Sequence, residues 1–113
     1  MDKTSNHILV IFGASGDLTR RKLIPALAEL KKLGHLPEKF AVLGIGRTVY
    51  TDQSYREMIA THLDEKSEVL DMLYYHPMDP ENKEAYPELT KRLGEMTMQL
   101  GIDPNYIFYL ATP

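Results

Sequence analysis

Two glycines three positions apart, Gly13 and Gly16, follow the apolar run Leu9-Val10-Ile11-Phe12 and lead into a helical pattern. A strand that ends in glycines and enters a helix can lay bare backbone against a pyrophosphate. Glycine has no Cβ to hold the ligand away, and a helix N-terminus offers unpaired N–H donors. The second informative residue is Arg47, in Gly44-Ile45-Gly46-Arg47-Thr48. A site for NAD carries an Asp or Glu near the end of its second strand, where it holds the ribose hydroxyls. This segment has no acid. A guanidinium there would pair with the 2′-phosphate of NADP. Alone, the glycines could make only a tight turn, and Arg47 could simply end a strand in solvent. Together they favour a dinucleotide site for NADP.

The loop is not a Walker A loop, since Lys22 is not preceded by glycine and followed by Ser or Thr. Arg20-Arg21-Lys22 either adds positive potential near the phosphates or forms a solvated helix face. Asp17 would repel a pyrophosphate, so its expected role is structural, accepting backbone N–H bonds as a cap. His7, His35, His62 and His76 lie far apart, and no pair has metal-ligand spacing. His62 sits on an apolar helical face and reads as a packed or boundary residue. No nucleophile is accompanied by a base and an orienter. The candidate catalytic and metal-ligating residues are therefore none.

These residues need a scaffold, and the chain alternates four strand-like runs with three helical ones. His7 to Phe12 is a continuous apolar run suited to burial on both faces. Leu23, Leu27 and Leu30 define a helix stopped by Gly34, with Pro25 in its first turn and Thr19 to Ile24 forming an irregular or tight turn before it. Phe40 to Ile45 is the second strand. Ser54 and Glu57 match a capping box, with Asp52 as a rival cap, ahead of a helix bearing Tyr55, Met58, Ile59, His62 and Leu63 on one face. Leu73 to Met78 is the third strand, and Pro77 favours an edge position for it. Tyr86, Leu89, Leu93, Met96 and Leu100 mark a long helix closed by Gly101; Tyr106 to Ala111 is the last strand. The order β-α-β-α-β-α-β predicts an α/β, Rossmann-like, doubly wound parallel sheet in three layers, with strands ordered 3-2-1-4.

Composition agrees with one domain over residues 1–113. Apolar residues make up 43%, charged residues 26%, and the net charge is -3. Mild acidity argues against nucleic acid or an anionic membrane as partner. The chain has no cysteine, which excludes disulfides and thiol chemistry. The N-terminus lacks the charged-then-apolar order of a signal peptide, and no apolar run approaches the ~20 residues of a membrane span. A cytoplasmic location is the expectation. Thr112-Pro113 directly after a strong strand suggests a fragment.

Phe12-Gly13-Ala14-Ser15-Gly16-Asp17-Leu18-Thr19-Arg20-Arg21-Lys22-Leu23-Ile24-Pro25-Ala26-Leu27 resembles the N-terminal signature of the glucose-6-phosphate dehydrogenase family. Gly44-Ile45-Gly46-Arg47 and the closing Tyr109-Leu110-Ala111-Thr112-Pro113 are similar to that family too. The resemblance runs over essentially the whole chain. It implies an NADP-binding domain of an enzyme that moves a hydride from C1 of glucose 6-phosphate to NADP and opens the oxidative pentose phosphate pathway. By matching position it implies that Gly13, Ala14, Ser15, Gly16, Asp17, Leu18, Thr19 and Arg20 hold the pyrophosphate side. Arg47 would hold the 2′-phosphate, Met78 and Asp79 would border the adenosine, and Ala111 and Pro113 would line the nicotinamide end. Dimerisation in the family belongs to a C-terminal domain, so a homo-oligomer is expected only of a full-length enzyme. A stand-alone, non-catalytic NAD(P)-binding or sensing module is the alternative.

The family's Glu-Lys-Pro segment and its Arg-Ile-Asp-His-Tyr-Leu-Gly-Lys block, with the general-base histidine, do not occur in these 113 residues. A general base contributes roughly 10²–10⁴-fold. The 113-residue chain is therefore predicted to form no NADPH from glucose 6-phosphate above background. Absorbance at the nicotinamide band checks this, and a steady rate would refute it.

Overall fold

The computed structural model describes residues 6–63 and 67–111. Strand β1 (His7–Phe12) is uncharged, rich in branched residues and buried at five of its six positions. Such a strand has no solvent-facing side and belongs in the middle of a sheet. Strand β2 (Phe40–Gly46) is buried at all seven positions and lies beside it. Strands β3 (Leu73–Pro77) and β4 (Tyr106–Leu110) complete a fully parallel sheet of order β3-β2-β1-β4, as the sequence pattern predicts. Pro77 takes the edge, where its missing N–H breaks no central ladder. Register pairs Phe12 with both Ile45 and Leu110, and Gly46 with Pro77. The four C-terminal strand ends therefore share one rim.

Side chains alternate across the sheet and create two cores. Ile8, Val10, Phe12, Leu43 and Ile45 pack against Leu89, Leu93 and Met96 of helix α3 (Tyr86–Leu100). On the other face Ile11, Val42, Leu73 and Tyr75 meet Ile24 of α1 (Ile24–Lys32), Tyr55 and Ile59 of α2 (Asp52–Ala60) and Val69 of a 3-10 turn (Glu68–Met72). The result is three layers, a Rossmann-like arrangement. Helix α3 closes at Gly101, whose φ of +64° is the left-handed conformation glycine accepts readily.

One local reading is sharpened and one corrected. Of the irregular or tight turn expected before α1, the structure shows the irregular form, a wide turn. Helical geometry begins at Asp17, and Thr19–Leu23 is a π turn in which the Ile24 N–H reaches back to the Thr19 carbonyl. Pro25 has no N–H, and its ring would collide with the carbonyl four residues back in a regular helix. An extra residue in the turn lets the helix run on through it. For α2 the cap is Thr51, not Ser54 or Asp52. Thr51 is extended (φ −85°, ψ 170°), its Oγ1 accepts the Ser54 N–H at 3.0 Å, and Ser54 Oγ accepts the Thr51 N–H at 2.9 Å.

Asp52, released from capping, closes the outer edge of β3. It accepts the Tyr75 N–H at 2.8 Å and pairs with Arg92 of α3 at 2.9 Å, and Arg56 Nε donates to the Leu73 carbonyl at 2.7 Å. The opposite edge is open: Ile107, Phe108, Tyr109 and Leu110 of β4 are all exposed.

Gly44 sits where the loop after β1 crosses β2. A Cβ built there would lie 2.6 Å from Ala14 Cβ. Gly44→Ala is predicted to destabilise the fold by about 1–3 kcal/mol, the range for overpacking. Denaturant titration measures it, and an unchanged midpoint would show that the loop yields freely.

Candidate functional site

The loop Gly13–Gly16 stands on the rim where β1 ends. Gly13 takes a φ of +88°, a conformation rarely open to residues with a Cβ. The Gly13 and Ala14 amides both donate to the Ile45 carbonyl, at 2.9 and 3.0 Å, and so bind the loop to β2. The Gly13 carbonyl accepts from the Gly16 N–H and the Thr19 hydroxyl, each at 3.0 Å. A Cβ at Gly16 would lie 3.2 Å from that carbonyl, and one at Gly46 would lie 2.7 Å from the Tyr75 hydroxyl and 3.1 Å from Ser15 Oγ. Glycine is needed on both partners for the loop to lie this close to the strand.

Tyrosines support the loop from below. Tyr55 Oη donates to the Ala14 carbonyl at 2.8 Å, and Tyr75 Oη donates to the Thr48 carbonyl at 2.6 Å. The two rings stack at 4.7 Å, with Tyr50 edge-on to both. Burial pushes the Tyr55 phenol far above its ordinary range, and the neighbouring Tyr75 and Tyr50 phenols add to the effect. Burial raises Tyr75 too, against an opposing hydrogen bond with Ser15. Sequence reading placed Tyr55 on a core face but did not connect it, or Tyr75, with the loop. Partners 41 positions apart leave no local signal.

Of the candidate residues, Ser15, Gly16 and Leu18 face the rim, whereas Ala14 and Thr19 are fully buried. Thr19 serves the loop through its bond to Gly13. Among the described residues the amides of Ser15, Asp17 and Leu18 take no backbone partner, which leaves open the donors a helix N-terminus supplies. Asp17 is no cap: its Oδ1 accepts from Arg21 Nε at 3.0 Å and Arg20 Nη2 at 3.3 Å. A carboxylate four residues before a cation on one helix face makes that pairing. It draws the two guanidiniums to the loop. Arg20 Nε is buried with no partner among the described residues.

Arg47 follows Gly46, whose Cβ position lies 3.1 Å from Ser15 Oγ, beyond the end of β2, and is largely exposed. Its Nη2 lies 3.3 Å from Asp79 Oδ1 and 3.6 Å from Glu81 Oε2. Met78 is a core residue whose N–H donates to the Gly46 carbonyl at 2.9 Å. Ala111 is buried with its N–H on the Phe12 carbonyl at 2.8 Å. Pro113 lies outside the described residues. The fold thus brings the Gly13–Arg20 segment, Arg47, Asp79 and Ala111 to one rim. A cavity of about 520 Å³ against Pro25, Lys31, His62 and Glu68 shares no residue with it. No group of His, Asp and Glu among the described residues could hold a metal ion.

Residues 10–113 match the family model described as "Glucose-6-phosphate dehydrogenase, NAD binding domain". The chain is 43% identical to glucose-6-phosphate 1-dehydrogenase of Aggregatibacter actinomycetemcomitans, across 98% of this chain and 24% of that protein. It is 36% identical to the Bacillus subtilis protein of the same name, across 92% of this chain and 22% of that one. A solved structure of glucose-6-phosphate dehydrogenase in complex with its substrate glucose-6-phosphate superposes with a TM-score of 0.83 at 30% identity, covering 100% of this chain and 25% of that one. The chain spans about a quarter of the length of the curated relatives it matches.

Tyr55→Phe removes the donor that satisfies the buried Ala14 carbonyl. It is predicted to lower stability by about 1–3 kcal/mol, the cost of an unpaired buried acceptor. The tyrosine's pKa is raised above its ordinary 10.0, so the protonated phenol is favoured in the folded state. Its contribution is full below pH 10.0 and is lost as pH rises beyond that value. Thermal melts from neutral to strongly alkaline pH should therefore fall less steeply for Tyr55→Phe than for the parent. Parallel curves would refute the assignment.

Proposed function

The chain belongs to the family of glucose-6-phosphate dehydrogenase NAD-binding domains, and from that membership we propose that it binds NADP at the rim of its sheet. The observation that carries the reading is the juxtaposition of a backbone cradle and a cation. The Gly13–Gly16 loop and the turn after it carry the amides of Ser15, Asp17 and Leu18, which have no backbone partner among the described residues, and Arg47 directly follows Gly46, the residue of β2 that lies against Ser15. The amides would hold the pyrophosphate, with Arg20 and Arg21 adding positive potential. The guanidinium of Arg47 would hold the 2′-phosphate through charge-assisted bonds. Asp79 would border the adenosine, and Ala111 with Pro113 would face the nicotinamide. Thr19, Ala14 and Met78 would act from beneath by fixing the backbone.

The bound coenzyme supplies a hydride acceptor. We propose that a protein of the relatives' length uses it to oxidise glucose 6-phosphate at C1 to 6-phosphogluconolactone. The family's general-base block does not occur in these 113 residues, so the share of that reaction assigned to this chain is to bind and orient the coenzyme. No helix among the described residues is long and apolar enough to cross a membrane, which is compatible with a cytoplasmic enzyme. The comparisons lend no support to a stand-alone module.

Arg47→Ala tests the coenzyme identity. A bond to a charged group contributes about 1.5–3 kcal/mol, so NADP affinity should fall about ten- to a hundredfold. NAD lacks the 2′-phosphate and should bind nearly as before. Calorimetric titrations with both coenzymes at one salt concentration measure the difference. Equal losses would mean that Arg47 supports the fold and does not read the phosphate.

A further inference from the structure

The segment after β2 contains no acid, yet the fold delivers one there from the next strand. Gly46 pairs with Pro77, and the Met78 N–H donates to the Gly46 carbonyl, so Arg47 and Asp79 leave the rim side by side. One nitrogen of Arg47 faces both Asp79 at 3.3 Å and Glu81 at 3.6 Å. Asp79 Oδ1 also accepts the Glu81 N–H at 2.9 Å, which holds the two carboxylates on one short turn. We propose that Asp79 and Glu81 are specificity-determining residues that set the ratio of NADP to NAD binding by competing with the 2′-phosphate for Arg47. This rests on the NADP reading above.

The competition follows from charge. A 2′-phosphate must draw the guanidinium away from two carboxylates and then sit beside them. Asp79 and Glu81 are 48% and 85% exposed, so water weakens the effect without removing it. NAD offers a neutral 2′-hydroxyl in the same place. Arg47 can then keep its acids. Asp79 Oδ1 takes both the Arg47 guanidinium and the Glu81 N–H, so the ribose hydroxyl would go to its Oδ2. The rim so carries a cation that reads phosphate and an acid that reads hydroxyl, and each restrains the other.

The test is a set of NADP and NAD titrations on the 113-residue chain and on Asp79→Asn, Glu81→Gln and the double variant. Asn keeps an oxygen for the Glu81 N–H, and circular dichroism confirms the fold of each variant. NADP should bind about three- to tenfold more tightly to each single variant and more tightly still to the double one. NAD should bind severalfold more weakly to Asp79→Asn and unchanged to Glu81→Gln. Added salt should shrink the gain for NADP, because screening acts on charge and not on packing. If the parent binds NADP and the double variant leaves the NADP-to-NAD ratio unchanged, this inference is overturned and the NADP reading stands. If the parent binds no NADP, both are overturned.

Discussion

The carbonyl of Ile45 accepts two amides, those of Gly13 and Ala14, and everything at the rim hangs from that pair of hydrogen bonds to β2. It holds the loop against the strand, and it is possible only because Gly44 and Gly46 leave room. A Cβ at Gly44 would overlap Ala14, and one at Gly46 would overlap the Tyr75 hydroxyl. With the loop so placed, its own donors are shared out. Gly13, Ala14 and Gly16 bond within the loop and to β2, while the amides of Ser15, Asp17 and Leu18 have no backbone partner among the described residues. The helix that starts at Asp17 then points its N-terminal end at the same space.

The layers beneath make this geometry stiff. Tyr55 and Tyr75 come from α2 and β3, stack on each other, and spend their hydroxyls on the Ala14 and Thr48 carbonyls. Asp52 joins the two outer layers around the β3 edge, since it takes the Tyr75 N–H and Arg92 of α3 together. Such pairing also withdraws β3 from association with other strands. The β4 edge has no comparable device, and its apolar side chains stand exposed.

Much of the scaffold was legible because burial repeats with a period. His7–Phe12 and Phe40–Gly46 carry no charge and few polar atoms, so only central parallel strands suit them. Leu89, Leu93 and Met96 recur at helical spacing, and Gly101 stops the helix in the conformation glycine favours. Boundaries moved by one residue at β2, β3 and β4, within the usual fraying of element ends. The cap of α2 was misread because Thr51, Asp52 and Ser54 are all capping types, and only the backbone dihedrals distinguish them. Asp17 was misread for a related reason: a carboxylate at a helix start can cap or pair, and Arg20 and Arg21 on its own face decided for pairing.

By itself the sequence determined the order of elements, the parallel sheet and the position of the glycine loop, because strand period, helix period and glycine freedom are local properties. It also singled out Arg47 by chemical type. Only the tertiary structure decided what stands around those residues. It placed Tyr55 under Ala14, Thr19 inside the loop and, above all, Asp79 and Glu81 against Arg47. Those contacts depend on register between strands and on packing between layers. Neither leaves a mark at any one position of the chain.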